Sequence, residues 1–532
     1  MPTNRRHLLG GMGAFLGACA GLLPRSAQAQ RAATLRFVPY TDLALLDPVY
    51  TTSFATRTHS LLVFDTLYGL DENFRPQPQM VAGATVDSDE LLWDLVLRDG
   101  LVFHDGSPVL ARDAVASLKR WGKRDSYGSA LFAATAELSA PNDKTIRFRL
   151  NRPFPLLPDA LAKVSPFVPV IMPERLASQP GSVQVTEMVG SGPYRFIADE
   201  RVPGARNVYR RFDRYVPRDG GAAGFMAGPR VAHFDQVEWQ TIPDGASAVN
   251  ALLAGEVDWV EQPNIDLLPL LRRGASVTLD VVETAGLIGQ IRLNHLQPPF
   301  DNPAICRAIL GAVDQTAMMD AVTGSDAGIQ RASVGIFTPN SPSASDAGMD
   351  VLLGKRDLAA SKRALAAAGY AGETVRLLAG TDVAKTNAIC EVMHDTFRAL
   401  GMNVDYVSTD YGTVVQRVVS DKPLSAGGWS CYGTWSGGLD TFSPASHLFI
   451  RGIGRAGAPS WLTDPSLEAI REDWFAQSDD AGRQEKAKAI QAEALKVGAY
   501  IPCLFYTPPT AYRRNLTDIS RGLPVFTGVR RV

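Results

Sequence analysis

The sequence predicts an α/β protein of two or more lobes, and three observations carry that expectation. The chain runs to 532 residues, well past the length at which a single hydrophobic core stops growing. From about residue 300 onward, short apolar strands alternate with helices that stop at glycine, a pattern that predicts a largely parallel sheet covered by helices. Two stretches, near 285–295 and 498–508, pair short extended segments with Gly or Pro. Such segments suit strands that pass between lobes and let them hinge.

Residues 1–29 read as an export leader. Arg5-Arg6 precede an apolar run from Leu8 to Leu23, and Ala27-Gln28-Ala29 is a small-residue cleavage site, so cleavage is expected after Ala29. The run is too short and too rich in glycine for a membrane span. Asn4-Arg5-Arg6-His7-Leu8-Leu9 resembles a twin-arginine signal, and both export routes stay open. Leu16-Gly17-Ala18-Cys19 partly matches a lipid-attachment site, but Gly17 fits poorly there and a clean A-x-A site follows, so no anchor is expected at Cys19.

Past the leader, residues 35–39 form a short apolar strand, and Leu46-Asp47-Pro48 is a turn launching a helical stretch through Phe64. The segment from Trp93 to Trp121, WDLVLRDGLVFHDGSPVLARDAVASLKRW, reads as strand, tight turn and amphipathic helix. Asp105-Gly106 supplies the turn; Val115, Leu118 and Trp121 recur at helical spacing. Residues 141–150 give a turn and an alternating strand with Ile146, Phe148 and Leu150 on one face, and Gly190-Ser191-Gly192-Pro193 runs into a strand at Tyr194. Further on, helices over 357–368 and 387–400 are stopped by Gly369 and Gly401, each followed by a strand, at 374–379 and 404–407. A last helix at about 484–497 leads into Tyr500-Ile501-Pro502 and Leu504-Phe505-Tyr506.

Composition excludes several functions. The formal charge is −2 and becomes −5 once the leader, with three arginines and no acids, is removed. A mildly acidic chain with interspersed charges offers no footprint for nucleic acid, and Arg210-Arg211 is interrupted by Asp213. The seven histidines never fall at metal-ligand spacing, so no metal and no cofactor is expected. Cys306, Cys390, Cys431 and Cys503 can pair in three ways or remain free. A secreted hydrolase would need G-x-S-x-G or H-E-x-x-H, and neither occurs.

Six blocks between residues 46 and 370 resemble the family 5 extracellular solute-binding proteins, the peptide, nickel and related receptors of ABC importers. They are the Trp93–Trp121 segment with its Phe103-His104-Asp105-Gly106 turn, Leu46-Asp47-Pro48, residues 63–70 (VFDTLYGL), Gly190 to Phe196, Asn294 through Pro299-Phe300-Asp301 to Asp314, and residues 357–370. The resemblance implies a two-lobed periplasmic binding protein fold (type II, large cluster) with an extra subdomain and hinge strands between the lobes. It places the first lobe at 30–290 with an inserted subdomain at about 75–185, the second at 291–500, and a C-terminal return to the first at 501–532. It also implies a monomer in the periplasm that passes a peptide or other small solute to permease subunits in the inner membrane, without catalysis. A chelated-metal binder on the same fold is an alternative.

The best candidate for the ligand wall is residues 427–442, GGWSCYGTWSGGLDTF, where Trp429, Tyr432, Trp435 and Phe442 stand among five glycines beside Asp440. Glycines let backbone amides approach a ligand, and aromatic faces give flat apolar contact. Peptide binders of the family carry a carboxylate three residues past a Trp, for the peptide's ammonium; counted from Trp429, that position is Tyr432. Either Asp440 serves instead or the ligand has no free α-amine, and the loss favours the second, because an unpaired buried ammonium is costly. Thr51, Thr52, Ser53 and Phe54 resemble the segment where the first lobe faces the cleft, and Tyr127 is a candidate aromatic over it.

Overall fold

A computed structural model describes residues 33–221, 224–324, 326, 328–354 and 356–532. The expected leader, its cleavage site and Cys19 lie outside the described residues. Two large sheets organise the chain. One has seven strands in the order Val277–Asp280, Thr510–Arg513, Trp259–Val260, Thr34–Val38, Gln236–Gln240, Arg206–Arg211 and Tyr194–Phe196. The other has six, in the order Arg331–Ala332, Tyr500–Tyr506, Leu287–Leu293, Cys431–Gly437, Thr374–Gly380 and Asn403–Thr409. A separate four-stranded antiparallel sheet, built from Val81–Val86, Leu92–Leu97, Thr145–Leu150 and Thr135–Ser139, is inserted in the first lobe.

The six-stranded sheet is mixed, not largely parallel. Thr374–Gly380 pairs in parallel with Asn403–Thr409 and with Cys431–Gly437. Leu287–Leu293 instead pairs antiparallel with both Cys431–Gly437 and Tyr500–Tyr506. The reason is connectivity. A parallel neighbour needs a crossover, and the helix Ala384–Leu400, closed by Gly401 at φ +85°, supplies one. Leu287–Leu293 enters this sheet from Val277–Asp280 of the other one, and Tyr500–Tyr506 leaves it toward Thr510–Arg513 of the other one, so the two run in opposite directions.

Leu287–Leu293 and Tyr500–Tyr506 are buried at every position, as central strands covered on both faces should be. Two residues break the apolar run of the first: Gln290 and Arg292.

In the first lobe the sequence blocks hold one another. The Arg120 guanidinium, on helix Ala111–Gly122, grips Asp47 through Nη1–Oδ1 at 3.1 Å and Nη2–Oδ2 at 2.6 Å, with both side chains fully buried. Asp47 also accepts from the Val49 and Val185 backbone N–H groups, at 2.9 and 2.8 Å. His104 bonds through Nε2 to the Gly192 carbonyl at 3.0 Å, tying its turn to the 190–193 turn; burial holds its pKa down, to about 4. All four cysteines in the described residues are free and buried, so none of the three pairings forms.

Candidate functional site

The lobes meet where the C-terminal end of strand Cys431–Gly437 faces the start of helix Phe54–Val63. Ser53 caps that helix, its Oγ accepting from the Thr56 N–H at 3.5 Å. Phe54 lies against Gly437 across the junction. One turn on, the Arg57 guanidinium covers the Phe54 ring at 4.8 Å. Arg57 is 4% exposed. Its Nη1 donates to Ser165 Oγ at 3.5 Å, and Nη2 stands 3.5 Å from Glu283 Oε1. Nε and Nη2, the two donors of its side fork, have no hydrogen-bond partner among the described residues. A guanidinium fork with hydrogen-bond donors to spare matches a carboxylate in geometry and charge.

Opposite stands Lys385, the second residue of helix Ala384–Leu400. Its Nζ lies 4.2 Å from the Tyr40 ring centroid and 5.2 Å from that of Trp435, and donates to Gln262 Oε1 at 3.5 Å. Tyr40 and Gln262 belong to the first lobe and Trp435 to the second, so one cation bridges aromatics of both. The Trp435 indole N–H is buried without a partner among the described residues, and the ring meets Tyr506 edge-on at 5.7 Å.

Three carboxyl groups share this junction. Glu261 accepts from the Tyr40 backbone N–H at 2.6 Å. Its pKa is raised to about 7, by burial first and then by the Glu283 charge, against the Tyr40 hydrogen bond and the pull of Arg57 and Lys385. Glu283 and Asp440 are likewise raised by burial, and Arg57 draws both down in part. Asp440 accepts from Ser165 Oγ and from the Gly437 N–H. Beyond that bridge the junction opens into a cavity of about 900 Å³, walled by Phe74, Tyr127, Lys163, Phe442, Trp474 and Arg483.

The sequence candidates therefore separate. Trp435, Asp440, Ser53 and Phe54 come together at the lobe junction, and Tyr127 lines the adjoining cavity, its hydroxyl donating to the Leu156 carbonyl at 3.4 Å. Trp429 is held in a hydrophobic cluster with Leu378, Val414, Val418 and Trp461, its indole N–H donating to the Ser420 carbonyl at 3.1 Å. Tyr432, three residues from Trp435, points to the other face of the strand and packs edge-on against Trp429 at 5.2 Å. Three residues past Trp435 comes Gly438, and a Cβ there would sit 1.8 Å from the Ala285 carbonyl oxygen. No carboxylate fits that place.

Arg57, Glu261, Glu283, Lys385 and Tyr40 went unread. Helical spacing from Ser53 could have found Arg57; nothing local marks the two glutamates, which reach the site only through the fold. Among the described residues no group of three His, Cys, Asp or Glu side chains is placed to hold a metal, and no helix is long and apolar enough to cross a membrane.

Comparison with known proteins shows what the chain is similar to. The family description "Bacterial extracellular solute-binding proteins, family 5 Middle" matches residues 75–446. A probable peptide ABC transporter periplasmic-binding protein of Sinorhizobium fredii is 32% identical over 480 residues, 90% of each chain. Among solved structures, the binding protein AgaA of A. tumefaciens R10, in complex with agropinic acid, superimposes with a TM-score of 0.78 at 21% identity, covering 94% of this chain and 99% of the other. The Helicobacter pylori protein DppA, in complex with the peptide STSA, gives a TM-score of 0.75 at 18% identity, covering 95% and 99%. At these identities the two structures speak for the fold alone.

Proposed function

Because the chain belongs to the bacterial extracellular solute-binding proteins of family 5, we propose that it captures a small peptide-like solute in the periplasm and hands it to the permease of an ABC importer. The observation that carries the ligand class is the Arg57 fork, buried at the lobe junction, with Nε and Nη2 making no hydrogen bond among the described residues and Nη2 in ion-pair contact with Glu283 at 3.5 Å. Arg57 receives a carboxylate of the solute. Glu283 and Glu261, both from the first lobe, receive its amine, which removes the reason for favouring a ligand without one. Trp435 and Tyr40 cover its apolar part, and the adjoining cavity, with Tyr127 in its wall, leaves room for a second residue. No bond is made or broken in this cycle. Binding favours the closed arrangement by as much as the solute prefers it to the open one.

Sheet membership supports lobe limits close to 286 and 507, a few residues from those expected, since Leu287–Leu293 and Tyr500–Tyr506 both lie inside the six-stranded sheet. The mature form is residues 30–532, released after Ala29.

Native mass spectrometry of the mature protein purified from a bacterial periplasm tests the reading. A retained solute carrying both a carboxylate and an amine is expected, lost in Arg57→Met. Retention of a solute with no carboxylate, or retention undiminished in Arg57→Met, would overturn it.

A further inference from the structure

On the face of strand Cys431–Gly437 turned away from Trp435, polar groups accumulate where a sheet interior should be apolar. Register fixes the set: Gln290 lies opposite Thr434, Arg292 opposite Tyr432 and Ile288 opposite Ser436, and directly opposite residues share a face. Gln290 and Arg292 are 0% and 1% exposed. Five buried atoms here have no hydrogen-bond partner among the described residues: Gln290 Nε2 and Oε1, Arg292 Nε and Nη1, and Ser436 Oγ. Buried polar groups are ordinarily paired, and leaving them unpaired costs stability.

Arg292 is the centre of the anomaly. Its guanidinium lies 3.7 Å from the Phe449 ring centroid and 5.5 Å from that of Tyr500, and Nη2 donates to Ser460 Oγ at 3.0 Å. Stacking covers the guanidinium face, and of the in-plane donors only Nη2 has a hydrogen bond by distance and angle. Among the described residues no carboxylate forms an ion pair with it; the groups that support its charge are the hydroxyls of Tyr432 and Tyr500, against burial that lowers its pKa to about 10. Ser460 and the next residue, Trp461, are both buried and held at positive φ, +139° and +55°. Backbone strain of that kind in non-glycine residues collects at functional sites. Tyr411 connects this enclosure with the lobe junction: its hydroxyl bonds Thr434 Oγ1 at 2.6 Å, and it lies within electrostatic reach of Tyr432 on one side and of Tyr40 and Lys385 on the other.

We propose that this enclosure receives an oxyanionic arm of the solute, with Arg292 as its counter-charge and Gln290 and Ser436 as hydrogen-bond partners. The inference rests on the solute-capture reading and adds to it that the ligand carries a second acidic group, besides the one at Arg57. Four dipeptides separate the two by isothermal titration: Ala-Glu against Ala-Gln, and Glu-Ala against Gln-Ala, pairs alike in shape and different in charge. At least one acidic member is expected to bind about 30-fold or more tightly than its amide, and the preference to collapse in Arg292→Gln while the amide's own affinity changes little. Should Arg292→Gln fail to fold, the wild-type pairs still decide. Equal affinity within both pairs, or tighter binding of the amides, would overturn the inference and leave solute capture standing. Failure of all four to bind, with no solute retained from the periplasm, would overturn both.

Discussion

Ser165 of the first lobe donates a hydrogen bond to Asp440 Oδ1 of the second, while Asp440 Oδ2 accepts from the Gly437 N–H at 3.0 Å. One carboxylate thus closes a loop of its own chain and latches the two lobes. Asp440→Ala and Ser165→Ala are each expected to weaken the closed form by ~1.5–3 kcal/mol, the range for a hydrogen bond to a charged group. The double variant should cost little more than the worse single one, because both remove the same latch. Small-angle scattering, read as the open fraction without added solute, checks this; fully additive effects would exclude it.

The junction carboxyls give stability a pH slope. Glu261 has its pKa raised from 4.5 to about 7, so the folded state holds a proton that the unfolded chain releases earlier. Stability contributed by that proton is full below about 4.5 and declines as pH rises toward 7, by roughly 3 kcal/mol at most from 1.36 kcal/mol per unit. Tm should fall between pH 5 and 7.5 in the native protein and fall less in Glu261→Gln. A Tm that rises over that window, or an unchanged slope in the variant, would contradict the assignment.

Trp429 and Trp435 should behave as different kinds of residue. Trp435 stands beside Lys385 at the junction, so Trp435→Phe is expected to reduce the change in tryptophan fluorescence on solute binding, leaving the share of Trp474 in the cavity wall, at little cost in stability. Trp429 is core, with its N–H bonded to Ser420, so Trp429→Ala is expected to cost ~3–5 kcal/mol of stability. Urea unfolding followed by circular dichroism, beside a fluorescence titration with the retained solute, separates the two.

The Asp47–Arg120 pair supports the first lobe from inside. Removing one partner leaves the other charge buried and alone, so Asp47→Ala or Arg120→Met should each cost ~3–5 kcal/mol. Replacing both with apolar residues should cost less than either single change. A shift in urea midpoint reports it, and a double variant worse than both singles would count against the pairing.

Much of the fold was legible because it is written locally. Asp357 and Gly369 bracket a helix at Leu358–Ala367, and Gly401 ends another, since caps depend on neighbours in sequence. Ile146, Phe148 and Leu150 share a buried face because alternation is local too. Strand direction in the second lobe was not legible: the antiparallel pairing of Leu287–Leu293 with Tyr500–Tyr506 joins segments about two hundred residues apart. The site divides in the same way. Glycine and aromatic density pointed to 427–442, yet only the register of Cys431–Gly437 tells that Trp435 faces the junction while Tyr432 faces Arg292. Glu261 and Glu283 carry no local signature; sheet order alone brings them to Arg57.

The strand Thr510–Arg513 lies inside the seven-stranded sheet, paired on one side with Trp259–Val260 and on the other with Val277–Asp280. The first half of the chain to be synthesised therefore waits for almost the last part before its own sheet is whole. A nascent chain that stops short of residue 510 has a gap between two strands it has already made, with exposed edges on both. The first lobe is thus completed only after the second has been made, and a truncation of some twenty-five C-terminal residues would damage the half of the protein that was synthesised first.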